Sequence, residues 1–179
     1  MKKRGRTIRV LFLFLLIVAA VFFGSNLVMK QLYPLKYEEY VEQYAKLQGL
    51  EPELVYAVMK CESGFDPDAV SSVDAKGLMQ LTDDTFDWLQ TKTKEKLDHN
   101  ALFDPETNIR YGTMLLRLHL DEFQDLSLAL AAYHAGRGRV NQWIDEAEST
   151  GSKEIIRYKD TKGYVSKVAE AKKVYETLY

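Results

Sequence analysis

The pattern of apolar and polar residues divides the chain into one continuous apolar run and a longer region with helical periodicity. Residues 10–23 are apolar without a break, and no charged residue lies between Arg9 and Lys30. As a helix, residues 10–29 would be about 30 Å long, which matches the hydrocarbon core of a bilayer. A buried core helix is the alternative, but the run shows no amphipathic pattern, so it predicts a transmembrane helix.

The residues around this apolar run predict its orientation in the membrane and whether it is cleaved. Residues 1–9 carry five basic side chains, namely Lys2, Lys3, Arg4, Arg6 and Arg9. Because basic residues favour the cytoplasmic side, we expect this end in the cytoplasm and the remainder of the chain outside the cell membrane. A cleavable signal peptide is the main alternative, since the strictly apolar part is short. The sequence "VFFGSNLV" after Ala20 contains no pair of small residues separated by one position, the pattern of a cleavage site, which favours an uncleaved single-pass anchor.

Beyond residue 36, apolar residues recur at helical spacing, and no segment alternates convincingly as a β-strand does. Gly49 ends the first predicted helix and Pro52 opens the second, while Asp104 and Asp125 are predicted N-caps of later helices. The predicted helices are 37–48, 52–61, one from Gly77 or Thr82 to Leu89, 105–123, 126–135, 140–147 and 164–178. We therefore predict an all-α domain, with at most a small hairpin between residues 63 and 80.

The sequence indicates four consecutive parts. They are a basic cytoplasmic segment at residues 1–9, the membrane anchor at 10–29, a short juxtamembrane linker at 30–36 and one folded domain at 37–179. The last part has roughly 140 residues, enough for one compact domain with its own core. Because the linker is short, we expect this domain to work close to the membrane surface.

Charge and cysteine content narrow the possible partners. Of 24 basic residues, five precede the anchor, which leaves 19 against 26 acidic residues and a net charge near −7 with histidine neutral. An acidic domain argues against a nucleic-acid partner, because binding to phosphates requires basic residues. The single cysteine, Cys61, cannot form an internal disulfide even in an oxidising compartment, so packing must stabilise the domain.

The stretch "VYAVMKCESGFDP", residues 55–67, ends a predicted helix with a carboxylate. The exposed carbonyls at a helix C-terminus carry partial negative charge, so an ionised Glu62 is disfavoured there. The apolar neighbours Val55, Val58 and Met59 indicate partial burial, which also disfavours the charged form. A carboxyl group that donates a proton near neutral pH needs such a raised pKa. Glu62 is therefore a candidate general acid, although a solvated residue at a helix end would show the same local pattern.

Uncharged hydrogen-bonding residues accompany Glu62 along the chain. Ser71 and Gln80 lie in "AVSSVDAKGLMQLTDDTF", Tyr133 lies in the last turn of the helix "LALAAYHAG", and Tyr164 lies in "KGYVSKV". Neutral amides, hydroxyls and tyrosine rings are groups that bind sugars, whose hydroxyls pair with them while their CH faces pack on aromatics. The tyrosines could equally be half-buried core residues and Gln80 an ordinary helix residue. Together, however, these residues predict a sugar-binding cleft.

Three blocks of the sequence resemble the lytic transglycosylases that have a goose-lysozyme-like catalytic domain. They are "ESGFDPDAVSSVDAKGLMQLTDDT", "FDPETNIRYGTMLLRLHLDEFQDLSLALAAYHAG" and "KGYVSKV", and together they cover most of residues 53–170. The resemblance implies that residues 37–179 form a lysozyme-like helical catalytic domain. It also implies that Glu62 is the single catalytic acid and base. Ser71 and Gln80 would contact glycan or support the acid, and Tyr133 and Tyr164 would line the cleft.

The sequence departs from this family's usual pattern at three positions. His134 stands where the family usually has Asn in "AYNAG", and Asp74 stands where its loop usually has Gly. Thr82 and Asp83 replace the usual Met-Pro after "GLMQL". The first departure leaves Tyr133 in place but changes local hydrogen bonding. The other two bear on the loop conformation and on one glycan contact.

The activity implied by the resemblance is cleavage of peptidoglycan glycan strands at the β-1,4 bond between N-acetylmuramic acid and N-acetylglucosamine. No water would be consumed, and the product would carry a 1,6-anhydro ring. A hydrolytic muramidase acting on the same bond is the alternative, and it would need a second carboxylate. Candidate partners follow Glu62 closely, at Asp66, Asp68, Asp74, Asp83 and Asp84, so the residues themselves leave hydrolysis open.

Two further classes remain possible. A cysteine peptidase or amidase would use Cys61 with His99, His119 or His134, but a position at a helix C-terminus raises a thiol pKa and makes the nucleophile weaker. A catalytically silent, membrane-tethered glycan-binding protein would keep the cleft without the reaction. The histidines are isolated from one another and no phosphate-binding loop is recognisable, so we expect no metal and no cofactor. Partners in wall synthesis or secretion are left open.

Overall fold

The computed structural model describes the backbone of residues 2–179 and the side chains from residue 13 onward. This part of the chain contains no β-strand. Two isolated β-bridges join Lys76 to Val70 and to Leu81, in the region where the sequence prediction allowed a small hairpin. The helices are α1 (Lys2–Leu32), α2 (Glu38–Gln48), α3 (Pro52–Glu62), α4 (Asp83–Thr93), the 3-10 helix η1 (His99–Phe103), α5 (Pro105–Phe123), α6 (Leu126–Ala135), α7 (Arg137–Thr150) and α8 (Lys159–Leu178). The predicted all-α fold class is confirmed.

Two helices begin earlier than the sequence pattern predicted, and one element was missed. Gly136 ends α6 and also precedes the first residue of α7, so no linker separates these helices. α8 begins at Lys159, before the predicted start at Tyr164. Its first turn is polar and only Thr161 in it is buried, so the apolar pattern did not reveal this turn. η1 was not predicted, because a single short 3-10 turn has no helical periodicity of its own.

The chain forms two compact units, which are described separately, and the first comprises Met1–Pro34 and Thr177–Tyr179. Within it, Leu13–Leu32 has a mean hydropathy of 2.1, is not buried, and is long and apolar enough to cross a membrane. A signal sequence near an N-terminus has the same properties. This segment overlaps the anchor predicted at residues 10–29. The side chains of the predicted basic segment, residues 1–9, lie outside the described part of the structure.

The second unit, Leu35–Glu176, contains the hydrophobic core. In α3, every residue from Leu54 to Met59 is buried. α5 packs against α2 and α6, and α6 packs against α7. Two clusters of buried side chains lie among the later elements. Residues of the loop before α4, of α4, η1 and α5 form the first, namely Leu81, Phe86, Leu89, Leu102, Tyr111 and Leu115; residues of α6 and α7 form the second, namely Ala131, Ala132, Val140 and Trp143. Because six consecutive residues cover every face of a helix, the burial of Leu54–Met59 fixes the helix that ends at Glu62.

A buried asparagine fixes the loop between α3 and α4 to α5. The Asn108 Oδ1 accepts a hydrogen bond from the Met79 N–H at 2.7 Å. Its Nδ2 donates to the carbonyl oxygens of Lys76 and Leu102, at 2.9 and 2.7 Å. Gly77 lies so close to this side chain that a Cβ atom there would be 2.3 Å from Nδ2. These contacts define the conformation of the loop that follows the end of α3.

Candidate active site

Glu62 is the last residue of α3, so the structure places this carboxyl group at the end of a core helix. The next residue, Ser63, caps the helix, and its N–H donates to the Met59 carbonyl oxygen at 3.1 Å. The Ser63 hydroxyl donates to the carbonyl oxygen of Leu78 at 2.8 Å. Glu62 is thus positioned by core packing on one side and by a fixed loop on the other.

Burial controls the charge of Glu62. It raises the pKa of the carboxyl group from its ordinary value of 4.5 to about 7, and the hydrogen bond from Tyr164 acts in the opposite direction. The Tyr164 hydroxyl donates to Glu62 Oε1 at 2.6 Å. Among the described residues, no lysine or arginine contributes to this pKa by pairing with Glu62. A carboxyl group with a pKa near 7 can both give and accept a proton at neutral pH.

A cleft of about 240 Å³ lies beside Glu62, and three of the four predicted sugar-binding residues line it. These three are Ser71, Gln80 and Tyr133, while Tyr164 reaches the site through its hydrogen bond to Glu62. The remaining lining residues are Val73, Ala75, Leu81, Thr82, Thr85, Leu115 and His134. Of the described residues that line the cleft, only Glu62 carries a carboxyl group.

Ser71 and Gln80 each make hydrogen bonds that shape the loop. The Ser71 Oγ accepts from two backbone N–H groups that follow it, at 3.3 and 3.1 Å. The Gln80 Nε2 donates to the carbonyl oxygens of Ala69 and Gly77, at 3.1 and 3.0 Å. Within the described part of the chain, the amide oxygen of Gln80 makes no hydrogen bond, so it remains available to a ligand in the cleft.

The two tyrosines are neutral hydrogen-bond donors. Burial raises the pKa of both Tyr133 and Tyr164 well above the ordinary value of 10.0. The Tyr133 hydroxyl donates to the carbonyl oxygen of Met79 at 2.7 Å, and this bond joins the end of α6 to the loop before α4. Neither phenol can therefore serve as a base near neutral pH, and both help to fix the geometry around Glu62.

The three departures from the family pattern have distinct structural settings. Asp74 adopts a left-handed backbone with φ 60°, a conformation that glycine adopts freely and that Asp tolerates better than most residues. Thr82 is the N-cap of α4, where its Oγ1 accepts from the Thr85 N–H at 3.3 Å. His134 lines the cleft and stacks on the ring of Tyr164.

The groups that the alternative reactions require are not in the cleft. None of the five aspartates considered as a second carboxylate lines it: Asp66, Asp68, Asp74, Asp83 and Asp84. Cys61 does not line it either, and burial raises the pKa of its thiol, which weakens a nucleophile. In the part of the chain that the structure describes, no group of three His, Cys, Asp or Glu residues is placed to hold a metal ion.

Several residues that shape the site were not predicted from the sequence. Asn108 organises the loop from α5, and the only sequence signal for it is a poor helix former inside an otherwise regular helix. Ser63, which follows Glu62 directly, has a hydroxyl that a search for capping residues could have found. Nothing in the sequence singles out Thr85 or Leu115, which enter the cleft through tertiary packing.

A second cavity of about 260 Å³ lies next to the cleft. Thr85, Leu115 and Tyr133 line both cavities. The second one extends over Trp88 and Arg137, together with Ala132, Gly136 and His119. These two neighbouring cavities, together called the groove, extend beyond the immediate surroundings of Glu62.

Comparisons with known proteins are consistent with this geometry. A family model described as Transglycosylase SLT domain matches residues 39–156. The soluble lytic murein transglycosylase of Escherichia coli is 30% identical over 151 residues, which cover 78% of this chain and 23% of that protein. The membrane-bound lytic murein transglycosylase C of Yersinia enterocolitica is 31% identical over 166 residues, covering 78% of this chain and 46% of that protein.

A solved structure of a lytic transglycosylase is also similar to this chain. It is an inactive glutamate-to-glutamine mutant of the lytic transglycosylase Slt from Pseudomonas aeruginosa. Its TM-score to this chain is 0.73 at 30% identity, covering 81% of this chain and 24% of that one. The helical domain and its partly buried glutamate thus define a lysozyme-like protein, and the chain belongs to the transglycosylase SLT domain family. It spans less than a quarter of the length of the soluble curated relatives it matches.

Proposed function

We propose that this protein is a peptidoglycan lytic transglycosylase in which Glu62 is the single general acid and base. The observation that carries the proposal is the state of this carboxyl group. It lies in a cleft, burial raises its pKa to about 7, and no other carboxyl group among the described residues lines the same cleft. Such a group is suited to a reaction that first donates a proton and then recovers one.

The proposed reaction has two proton transfers and consumes no water. The protonated Glu62 gives its proton to the oxygen between N-acetylmuramic acid and N-acetylglucosamine, and the bond from that oxygen to C1 breaks. The resulting carboxylate takes the proton of the muramic C6 hydroxyl, and this oxygen bonds to C1. The products are a free N-acetylglucosamine end and a 1,6-anhydro ring, and Glu62 is again protonated. Because the nucleophile belongs to the substrate, its effective concentration is high.

Hydrolysis requires a second carboxyl group that the cleft does not offer. A retaining glycosidase has two carboxyl groups about 5 Å apart, and an inverting one has them about 6.5–9.5 Å apart. The absence of an aspartate from the described lining residues favours the anhydro product over a hydrolytic muramidase. The names of the relatives support the same choice, since the curated ones reported above are lytic murein transglycosylases.

The glycan strand is the proposed substrate, and it would occupy the groove. We assign Ser71 and Gln80 to hydrogen bonds with the sugar or with the loop that supports the acid, and Tyr133 and Tyr164 to the wall of the cleft. The second cavity, which includes the exposed edge of Trp88, is part of the groove and suits a polymer better than a small substrate.

Membrane attachment is the second part of the proposal. Residues 10–29 would anchor the chain with its N-terminus in the cytoplasm, and residues 37–179 would form the catalytic domain outside the membrane after a short linker at 30–36. The apolar helix and a membrane-bound relative support this arrangement. The linker would keep the enzyme near the membrane surface.

The mass of the products tests the reaction. We expect the full-length chain in detergent to convert purified peptidoglycan into muropeptides with anhydro ends, each one water lighter than a reducing end. Reducing ends would instead identify a hydrolytic muramidase. Binding to peptidoglycan without any soluble product would identify a catalytically silent glycan-binding protein. Either of the last two results would refute the proposed reaction.

A further inference from the structure

The imidazole ring of His134 lies flat against the phenol ring of Tyr164. The ring centroids are 4.4 Å apart and the planes differ by 15°. His134 is in the last turn of α6 and Tyr164 is in the first part of α8, so the stack joins two helices at the cleft. His134 lines the cleft, whereas Tyr164 is only 7% exposed. The histidine therefore covers one face of the tyrosine ring.

The orientation of the Tyr164 ring determines its hydrogen bond to Glu62. The hydroxyl donates to Oε1 at 2.6 Å, while Oε2 makes no hydrogen bond within the part of the chain described. A bond to a carboxylate stabilises its charged form, so this one holds the pKa of Glu62 below the value that burial would give. A displacement of the phenol by about 1 Å would be enough to break it.

We infer that His134 is a positioning residue whose ring holds Tyr164 where its hydroxyl bonds Oε1 of Glu62, leaving Oε2 available to the substrate. The inference rests on the proposed function of Glu62 as the acid and base. His134 acts through Tyr164, and it needs no contact with the reacting atoms. It would therefore set how readily Glu62 releases and recovers its proton.

The charge of His134 is consistent with a packing role. Burial lowers the pKa of its imidazole below the ordinary 6.5, and Asp160 acts in the opposite direction. The titratable groups that face the ring are Asp160 and Tyr164 on α8 and Glu62 across the cleft. A neutral imidazole places no positive charge beside Glu62, so its influence there depends on where it holds the tyrosine.

A double-mutant cycle tests this inference. The pKa of Glu62 is measured by 13C NMR titration of the full-length chain in detergent micelles, labelled at glutamate carboxyl carbons and assigned with Glu62→Gln. The cycle compares the wild type with His134→Ala, Tyr164→Phe and the double variant. His134→Phe is the matched control, because it keeps a flat ring but has no imidazole nitrogens.

We expect Tyr164→Phe to raise the pKa of Glu62 by about one unit or more, since a hydrogen bond to the charged form is lost. His134→Ala should raise it in the same direction by a smaller amount, and should add nothing when Tyr164 is already phenylalanine. His134→Phe should keep the wild-type pKa. The alkaline limb of the rate of cleavage against pH should move upward in the His134→Ala variant only when Tyr164 is present.

Three results would overturn the inference. One is an unchanged pKa in His134→Ala. Another is that His134→Ala shifts the pKa of Glu62 by the same amount whether residue 164 is tyrosine or phenylalanine. The third is that His134→Phe shifts this pKa as much as His134→Ala does. Each of the last two results would show that the imidazole acts on Glu62 directly by electrostatics and not through Tyr164. The NMR titration needs no enzymatic activity. A chain that formed no anhydro ends would therefore refute the proposed function and leave the cycle decisive for His134.

Discussion

The Glu62→Gln variant is expected to cleave peptidoglycan at least about 1,000-fold more slowly than the wild type. One carboxyl group performs both proton transfers in the proposed reaction, and an amide of the same shape can perform neither. The measurement is the initial rate at which the full-length chain releases soluble muropeptides. Glu53→Gln is the matched control, because Glu53 lies in the first turn of the same helix and does not line the cleft. It should retain the wild-type rate.

Thermal unfolding at two pH values separates lost chemistry from lost folding in this variant. The pKa of Glu62 is about 7 in the fold and near its ordinary 4.5 when unfolded, so the folded chain binds this proton more tightly. Ionisation of Glu62 therefore lowers the free energy of unfolding. This loss is absent below the pKa of the unfolded chain, about 4.5, and is complete above the pKa of the folded chain, about 7. Glu62→Gln should then unfold at a higher temperature than the wild type at about pH 8 and at the same temperature at about pH 4.

If the Glu62→Gln variant cleaved peptidoglycan at more than about a tenth of the wild-type rate, this result would contradict the role of Glu62.

Gly77→Ala should destabilise the second unit by about 3 kcal/mol or more. Gly77 has φ +74°, and an added Cβ would lie 2.2 Å from the Leu102 carbonyl oxygen and 2.3 Å from Asn108 Nδ2. Neither neighbour can move away cheaply, because Asn108 is fully buried and holds three hydrogen bonds. The loop that carries Ser71 and Gln80 would be displaced, so activity should fall with stability.

Gly49→Ala is the control for the steric part of this effect. Gly49 also has a left-handed backbone, with φ +61°, but nothing lies within 4 Å of an added Cβ. Only the conformational cost should remain, about 1 kcal/mol. Urea unfolding followed by circular dichroism measures both values. Equal losses in the two variants would show that the close packing around Gly77 does not determine the loop.

The parts of the fold that local sequence determines were predictable. Asp104 and Asp125 cap α5 and α6 through their side chains, as the sequence indicated, and Gly136 ends α6. The end of α3 at Glu62 followed from an apolar run that stops at Glu-Ser-Gly. In these cases the residues that determine the structure lie within one helical turn of one another, so the pattern along the chain contains the information.

The geometry of the site depends on contacts between distant residues, which one sequence does not reveal. Asn108 accepts a hydrogen bond from the backbone of Met79, which lies in a different element. The ring of His134 meets that of Tyr164 only because α6 and α8 converge. Sequence reasoning could name candidates such as Gln80 for the cleft. It could not show that Gln80 takes a left-handed backbone and uses its amide nitrogen to close the loop.

The charge of Glu62 near neutral pH is the quantity on which the proposed mechanism depends most directly. Infrared difference spectra between the wild type and Glu62→Gln, recorded across a pH series, report the band of the protonated carboxyl group. The account predicts that half of this band is lost at a pH of about 7. A midpoint at the ordinary value of 4.5 would contradict it, because Glu62 would then be ionised at neutral pH and could not supply the first proton.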